Sequence, residues 1–364
     1  MSMLPDAETF QRLVDGTALG AGPTAARLGL AVLAAPYGLA VAARNAAYDR
    51  GLARIVTAPV PVISIGNLTL GGTGKTPLVA WTARMLLARG LHPAIVSRGY
   101  AAPPGERSDE AAELARLLPG VPHVANRDRP AAAREAAAAG AEVVVLDDGF
   151  QHRRLARNLD IVAVDATDPF GCGHLFPRGL LREPLAGIAR SQALVLTRAT
   201  TVSASRRAEI RAALDRGCRG RLPPVWAEAG HRPVMLRRHT GATEPLDRLR
   251  GCRVFAFAGI GNPAAFRAAL RGLGAELVGF RPLPDHHAYT AADIDSLARA
   301  ARAERAELAV VTLKDLVKVR RDDLDGVPLA ALEIALEFQA GGDELEALVA
   351  ATVARAGGPP GASS

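Results

Sequence analysis

Cysteine is scarce in this sequence of 364 residues: Cys172, Cys218 and Cys252 stand far apart and are odd in number. That argues against a disulfide framework and against a cysteine-based metal site, and it reads as a cytosolic chain. Aromatic residues make up only 4%, so the cores must be built from small aliphatic side chains, and the abundant alanine favours helices. No long run of lysine and arginine interleaved with aromatics occurs, which argues against an extended nucleic-acid surface. Also absent are a fixed-period internal repeat, the Asn-Lys-X-Asp motif that reads guanine in GTPase switches, and any uncharged run of the ~20 residues a helix needs to span a bilayer. What remains is a charge of +7, which favours an anionic partner such as nucleotide phosphates or a membrane surface.

The longest uncharged stretch near the start runs for sixteen residues, Leu28 to Ala43, and contains Gly29, Pro36 and Gly38. It starts too late for a signal peptide and follows Asp6, Glu8 and Asp15. Two readings stand open: an interfacial helix with Arg27, Arg44 and Arg50 among lipid headgroups, or an ordinary buried helix.

From about Val60, short β-branched runs alternate with Ala-, Leu- and Arg-rich helical stretches, the pattern of a mostly parallel sheet covered by helices. Expected strands are Pro61 to Asn67, Pro93 to Ser97, Glu142 to Asp147, Asp160 to Asp165 and Ala193 to Thr197. A second, smaller α/β stretch has strands near Arg253 to Ala258, Glu276 to Phe280 and Leu308 to Thr312. The expected organisation is an N-terminal segment 1–57, a P-loop domain 58–221, an extended linker 222–238 marked by Pro223, Pro224 and Pro233, a C-terminal domain 239–356 and a disordered tail 357–364.

The sharpest feature is Gly71-Gly72-Thr73-Gly74-Lys75-Thr76, between an apolar strand and an amphipathic helix. Glycines let successive backbone N–H groups turn around phosphate oxygens, and the helix start adds partial positive charge there. Lys75 supplies a full charge to the β and γ phosphates, and the Thr76 hydroxyl is placed to ligate Mg²⁺. The usual pattern Gly-x-x-x-x-Gly-Lys opens with glycine; here that position is Thr69. Downstream, Val143-Val144-Val145-Leu146 ends in Asp147 and Asp148, a Walker B element whose carboxylate holds the metal or its water. Alternation along a strand gives the two acids different faces unless the strand has already ended.

These motifs, from Ile63-Ser64-Ile65-Gly66-Asn67 through the Gly-rich loop to Ser97-Arg98-Gly99-Tyr100 and Asp147-Asp148-Gly149-Phe150-Gln151-His152, resemble the tetraacyldisaccharide 4′-kinases. The likeness continues through Pro177-Arg178-Gly179-Leu180-Leu181-Arg182-Glu183-Pro184, Ala258-Gly259-Ile260-Gly261-Asn262-Pro263, Asp285-His286-His287 and Thr312-Leu313-Lys314-Asp315.

The resemblance implies transfer of the ATP γ-phosphoryl group to the 4′-hydroxyl of a tetraacylated glucosamine disaccharide 1-phosphate. The enzyme would work at the cytoplasmic face of the inner membrane, with ATP and Mg²⁺ as cofactors. It implies Asp147, Asp148 and Glu110 as metal-side acids, Asp109 as base with His286 as its partner, and His152 nearby. Ser108-Asp109-Glu110-Ala111 stands where the family has Gly-Asp-Glu-Pro, and Thr312-Leu313-Lys314-Asp315 where it has Thr-Glu-Lys-Asp. Arg98, Arg178 and Arg182 are candidates for bidentate contacts to the 1-phosphate or to ATP. A soluble small-molecule kinase, a hydrolytic switch and a non-catalytic nucleotide-binding subunit are the competing readings, and oligomeric state is not legible.

Overall fold

The computed structural model describes residues 7–99, 108–285 and 287–357. His286, Tyr100 and, apart from Gly357, the tail expected over 357–364 lie outside the described residues. In chain order the elements begin with α1 (Ala7–Val14), α2 (Ala21–Asp49), β1 (Val62–Asn67), α3 (Lys75–Ala88), β2 (Pro93–Ser97), α4 (Asp109–Leu117), β3 (His123–Ala125), α5 (Arg129–Ala138), β4 (Val143–Asp147), β5 (Leu159–Asp165), β6 (Ala193–Thr197), α6 (Ala204–Gly217) and β7 (Val225–Arg237). They continue with β8 (Thr243–Glu244), β9 (Arg253–Ala258), α7 (Pro263–Gly272), β10 (Glu276–Pro282), α8 (Ala291–Ala303), β11 (Leu308–Thr312), α9 (Leu313–Val319), β12 (Asp323–Leu324), β13 (Val327–Ala340) and α10 (Gly342–Gly357).

Two compact units emerge. The first holds residues 7–98, 126–230 and 338–357, and the second holds the rest. In the first, the strand order is β7-β6-β5-β1-β4-β2 with every neighbouring pair parallel. Every residue of β1, β2, β4, β5 and β6 is buried, which is why these strands read as continuous aliphatic runs. The chain leaves β1 through α3 towards β2 on one side, while β5 and β6 lie on the other. The carboxyl end of β1 is therefore a topological switch point, where open α/β sheets bind ligands. Register sets Ile65 opposite Asp147, Asn67 opposite Ala163 and Asp165 opposite Thr197, so Asn67, Asp147, Asp165 and Thr197 all sit at carboxyl strand ends.

The second unit orders its strands β10-β9-β11-β13, again parallel, with β12 antiparallel on β13. Its core includes Val254, Ala256, Phe266, Leu270, Val310 and Ala330. Residues 222–238, expected as a linker, are extended but form the long strand β7, within which the chain passes from one unit to the other at Gly230 and His231. It returns within β13, between Glu337 and Phe338, and α10 packs in the first unit. There the Phe338 ring meets Trp81 at 4.9 Å, and Glu346 pairs with Arg89 at 2.7 Å. The segment carrying α4 belongs to the second unit, not to the P-loop unit.

Helix α2 is longer than the uncharged run suggested. It continues through Pro36 for 29 residues, about 43 Å at the usual rise. Val41 is its one buried residue, while Leu28, Val32, Leu33 and Leu39 are 60–73% exposed. The buried-helix reading is thus set aside. An apolar helix with its leucines in solvent fits peripheral association with a membrane.

Candidate active site

The Gly-rich loop starts where β1 ends. Gly71 and Gly74 have φ of 100° and 74°, a left-handed backbone that an L side chain adopts only with strain. Thr69, in place of the usual glycine, needs no such freedom. Its backbone bridges Leu181 in antiparallel fashion, with Leu70 N donating to Leu180 O and Arg182 N to Leu68 O, both at 2.7 Å. Asn67 ties the loop together from below: its Nδ2 donates to Thr69 O at 2.8 Å and Thr73 Oγ1 at 2.9 Å, and its Oδ1 accepts from Lys75 Nζ at 3.0 Å. From β6, the Thr197 hydroxyl donates to Thr73 O at 2.7 Å.

The two adjacent acids resolve simply. Strand β4 ends at Asp147, and Asp148 has a φ of 52°, so the chain has turned before strand alternation can send its side chain to the other face. Asp148 Oδ1 lies 3.2 Å from Lys75 Nζ and its Oδ2 2.8 Å from an Arg182 nitrogen. Burial alone would raise the Asp148 carboxyl, but Lys75 and Arg182 outweigh it and bring it down to about 2. Asp147 is 7% exposed. Lys75, Asp148 and Arg182 thus form one charge cluster at the switch point. Arg178 does not join it: its guanidinium donates to Val14 O at 3.1 Å, holding α1.

Several participants carried no signal of their own. Glu183 is fully buried and accepts from Gln151 Nε2 at 2.9 Å, Arg190 at 2.8 Å and Asn45 Nδ2 at 3.2 Å. The same Gln151 nitrogen donates to Asn67 O at 2.8 Å. Arg129, at the start of α5 and 3% exposed, feels the charges of Asp147, Asp148 and Arg98. Burial lowers its guanidinium to about 10, opposed by the two aspartates, so it remains charged at neutral pH. Burial, together with Arg129, Arg157 and Arg154, lowers His152 to about 4, so its imidazole is neutral there. Glu183 and Gln151 sat inside quoted motifs; Arg129 was one arginine among many.

The second unit gathers the other candidates. Ser108 caps α4 by accepting from Ala111 N at 3.3 Å, which explains a serine at this position and sets Asp109 and Glu110 in the first turn. Asp109 pairs at 3.1 Å with Lys318 of α9, whose side chain is 8% exposed and whose ammonium also donates to His287 O at 3.2 Å. Lys318 was missed in the sequence because nothing local marks it. Asp315, fully buried, accepts from Gly259 N, Tyr289 OH and Thr312 Oγ1, so the Thr312–Asp315 motif pins two loops. Lys314 pairs with Asp285 at 3.1 Å. His287 Nε2 lies 3.2 Å from Asp293 Oδ2.

One turn beyond Asp109, burial raises the Glu113 carboxyl from 4.5 to about 7, with Glu110, Asp315 and Asp109 adding to the effect and Lys314 opposing it. The folded chain then keeps a proton that the unfolded chain releases. This contribution to stability is complete below pH 4.5 and is lost as pH rises through about 7. Glu113→Gln is expected to flatten this limb: across pH 4 to 8 its melting temperature should rise relative to the parent, and parallel curves would refute the shift.

Among the described residues, no group of three or more His, Cys, Asp and Glu is arranged to hold a metal by itself. Thr76, Asp147 and Asp148 offer hard oxygen donors in the first unit, the set Mg²⁺ takes when phosphates and water complete its shell. The residues present fit that ion.

Known proteins match this arrangement along nearly the whole chain. Residues 26–354 match the family described as tetraacyldisaccharide-1-P 4′-kinase. A tetraacyldisaccharide 4′-kinase of Anaeromyxobacter dehalogenans (strain 2CP-C) is 42% identical over 354 residues, covering 90% of this chain and 92% of the relative. One from Syntrophus aciditrophicus (strain SB) is 38% identical, covering 83% and 87%. A crystal structure of LpxK from Aquifex aeolicus in complex with ATP superposes with a TM-score of 0.70 at 30% identity, covering 90% of this chain and 99% of that one. By these matches over nearly its whole length, the chain belongs to the tetraacyldisaccharide-1-P 4′-kinase family.

Proposed function

We propose that this chain transfers the γ-phosphoryl group of ATP to the 4′-hydroxyl of a tetraacylated glucosamine disaccharide 1-phosphate in lipid A biosynthesis. It would do so as a peripheral protein on the cytoplasmic face of the inner membrane. The observation that carries the reading is the Lys75–Asp148–Arg182 cluster at the carboxyl end of β1, next to a glycine loop opening a helix.

Phosphoryl transfer asks mainly for positioning and charge neutralisation. The backbone N–H groups of Gly71 to Gly74 and the start of α3 hold phosphate oxygens, and Lys75 neutralises charge on the transferred group. Thr76, Asp147 and Asp148 would hold Mg²⁺, which would neutralise charge on the phosphate oxygens, and Glu110 is the further metal-side acid that the family resemblance implies. Arg182 and Arg98 are the candidates for substrate phosphate, with His152 as a neutral hydrogen-bonding group. Asp109 accepts the proton of the attacking hydroxyl. Lys318 holds the Asp109 carboxylate, and His286, which the family resemblance gives as the partner of Asp109, is the candidate for orienting it or sharing its charge. Acyl chains stay in the bilayer beside α2 while the sugar head enters the site.

The test is transfer of label from ATP labelled at the γ-phosphate to tetraacyldisaccharide 1-phosphate in detergent micelles. Labelled lipid supports the assignment. Free phosphate released without labelled lipid, by a well-folded protein, would leave a hydrolytic switch as the reading.

A further inference from the structure

Helix α2 has one polar side chain between Leu28 and Ala43, that of Tyr37, and it is not spent on solvent. Its hydroxyl donates to Arg182 O at 2.8 Å, and burial raises its pKa, as expected of a phenol that must keep its proton to donate. Two turns on, Asn45 Nδ2 donates to the buried carboxylate of Glu183 at 3.2 Å. Both contacts are partly buried, and such a contact favours one register of a helix, because breaking it leaves a donor or acceptor poorly reached by water.

From these two contacts, two polar paths run to the same atom. Tyr37 holds the backbone of Arg182, Arg182 grips Asp148, and Asp148 lies against Lys75 Nζ. Asn45 holds Glu183, Glu183 accepts from Gln151, Gln151 donates to Asn67 O, and Asn67 Oδ1 accepts from Lys75 Nζ. The strap between them, residues 180–182, pairs its backbone with residues 68–70 that lead into the glycine loop. Close packing supports the coupling: a Cβ on Gly38 would lie 3.0 Å from Leu175 Cδ1, and Phe176 packs edge-on against Tyr37 at 6.0 Å.

We infer that Tyr37 and Asn45 are positioning residues through which the lipid-facing helix fixes the strap of Arg182 and Glu183 and so the placement of Lys75. This rests on the reading of α2 as the membrane-contacting element. The helix then does two separable jobs: its leucines and valines contact lipid, and its two polar groups set phosphate-site geometry. A small misplacement of a phosphate-holding group lowers turnover without changing how well the protein finds the membrane.

The experiment uses the full chain, vesicles of phosphatidylethanolamine and phosphatidylglycerol carrying tetraacyldisaccharide 1-phosphate, and temperatures well below the lowest melting temperature of the set. Tyr37→Phe and Asn45→Leu are expected to lower kcat by about tenfold each, with vesicle partition and the half-saturating lipid fraction unchanged. Val32→Asp, on the exposed face of the same helix, is expected to lower partition and raise that fraction. Unchanged kcat in both Tyr37→Phe and Asn45→Leu overturns the inference, as does a fall in kcat fully explained by lost partition. If Val32→Asp leaves partition intact, the membrane reading of α2 fails instead.

Discussion

Lys75→Met is expected to lower the rate of phosphoryl transfer by about 10³-fold, the scale seen when one preorganised charge at a developing anion is removed. Fold stability should change far less. Lys75 has two partners, Asn67 Oδ1 and Asp148, and Arg182 still faces Asp148 at 2.8 Å after the substitution. The Asp148 side chain is 36% exposed, so water takes over part of the lost pairing and the cost is about 1 kcal/mol. Asp148 would also titrate closer to the ordinary carboxylate range. Its depressed pKa contributes stability above pH 3.8 that is lost as pH falls towards 2, and the variant should lose that contribution at higher pH than the parent. Steady-state kinetics beside thermal melting at neutral pH separates the two effects. Transfer retained within tenfold would remove Lys75 from the phosphate site.

What the sequence made legible were features written in neighbouring letters. The glycine loop, the aliphatic runs ending in Asn67 and Asp147, and the five buried strands of the first unit all follow from local pattern, because parallel strands buried on both faces are mostly aliphatic, with few polar residues to blur them. Less legible was what depends on distant pairing. Pro223, Pro224 and Pro233 suggested a linker, yet Val225–Arg237 is a strand, because pairing with β6 at Ala193↔Val225 supplies what local propensity withholds. The return of the chain through β13 to α10 in the first unit leaves no mark at the crossing point. Lys318 meets Asp109 across more than two hundred residues, and a lysine on a short helix otherwise reads as surface charge. Asn45 was equally silent: its meaning comes from Glu183, a buried carboxylate whose burial only the fold reveals.

Asp109→Asn is the second large effect. The amide keeps the shape of the side chain and the Ser108 cap of α4, so the helix should form as before. It cannot accept a proton, however, and loss of a general base typically lowers turnover by about 10²- to 10⁴-fold. The proposed division of labour sharpens the expectation. In that proposal the loop of the first unit holds the phosphates, so KM for ATP should move little while kcat falls. Lys318 exchanges a charged partner for a neutral amide oxygen and keeps the His287 carbonyl at 3.2 Å, which costs about 1 kcal/mol, visible as a modest fall in melting temperature. Lys318→Met, alone and combined with Asp109→Asn, separates the two consequences. If Lys318 acts only by holding Asp109, adding Lys318→Met to Asp109→Asn should slow transfer no further. A kcat of Asp109→Asn within tenfold of the parent would move the proton-accepting role to another group, and would leave the assignment of Lys75 and the glycine loop as it stands.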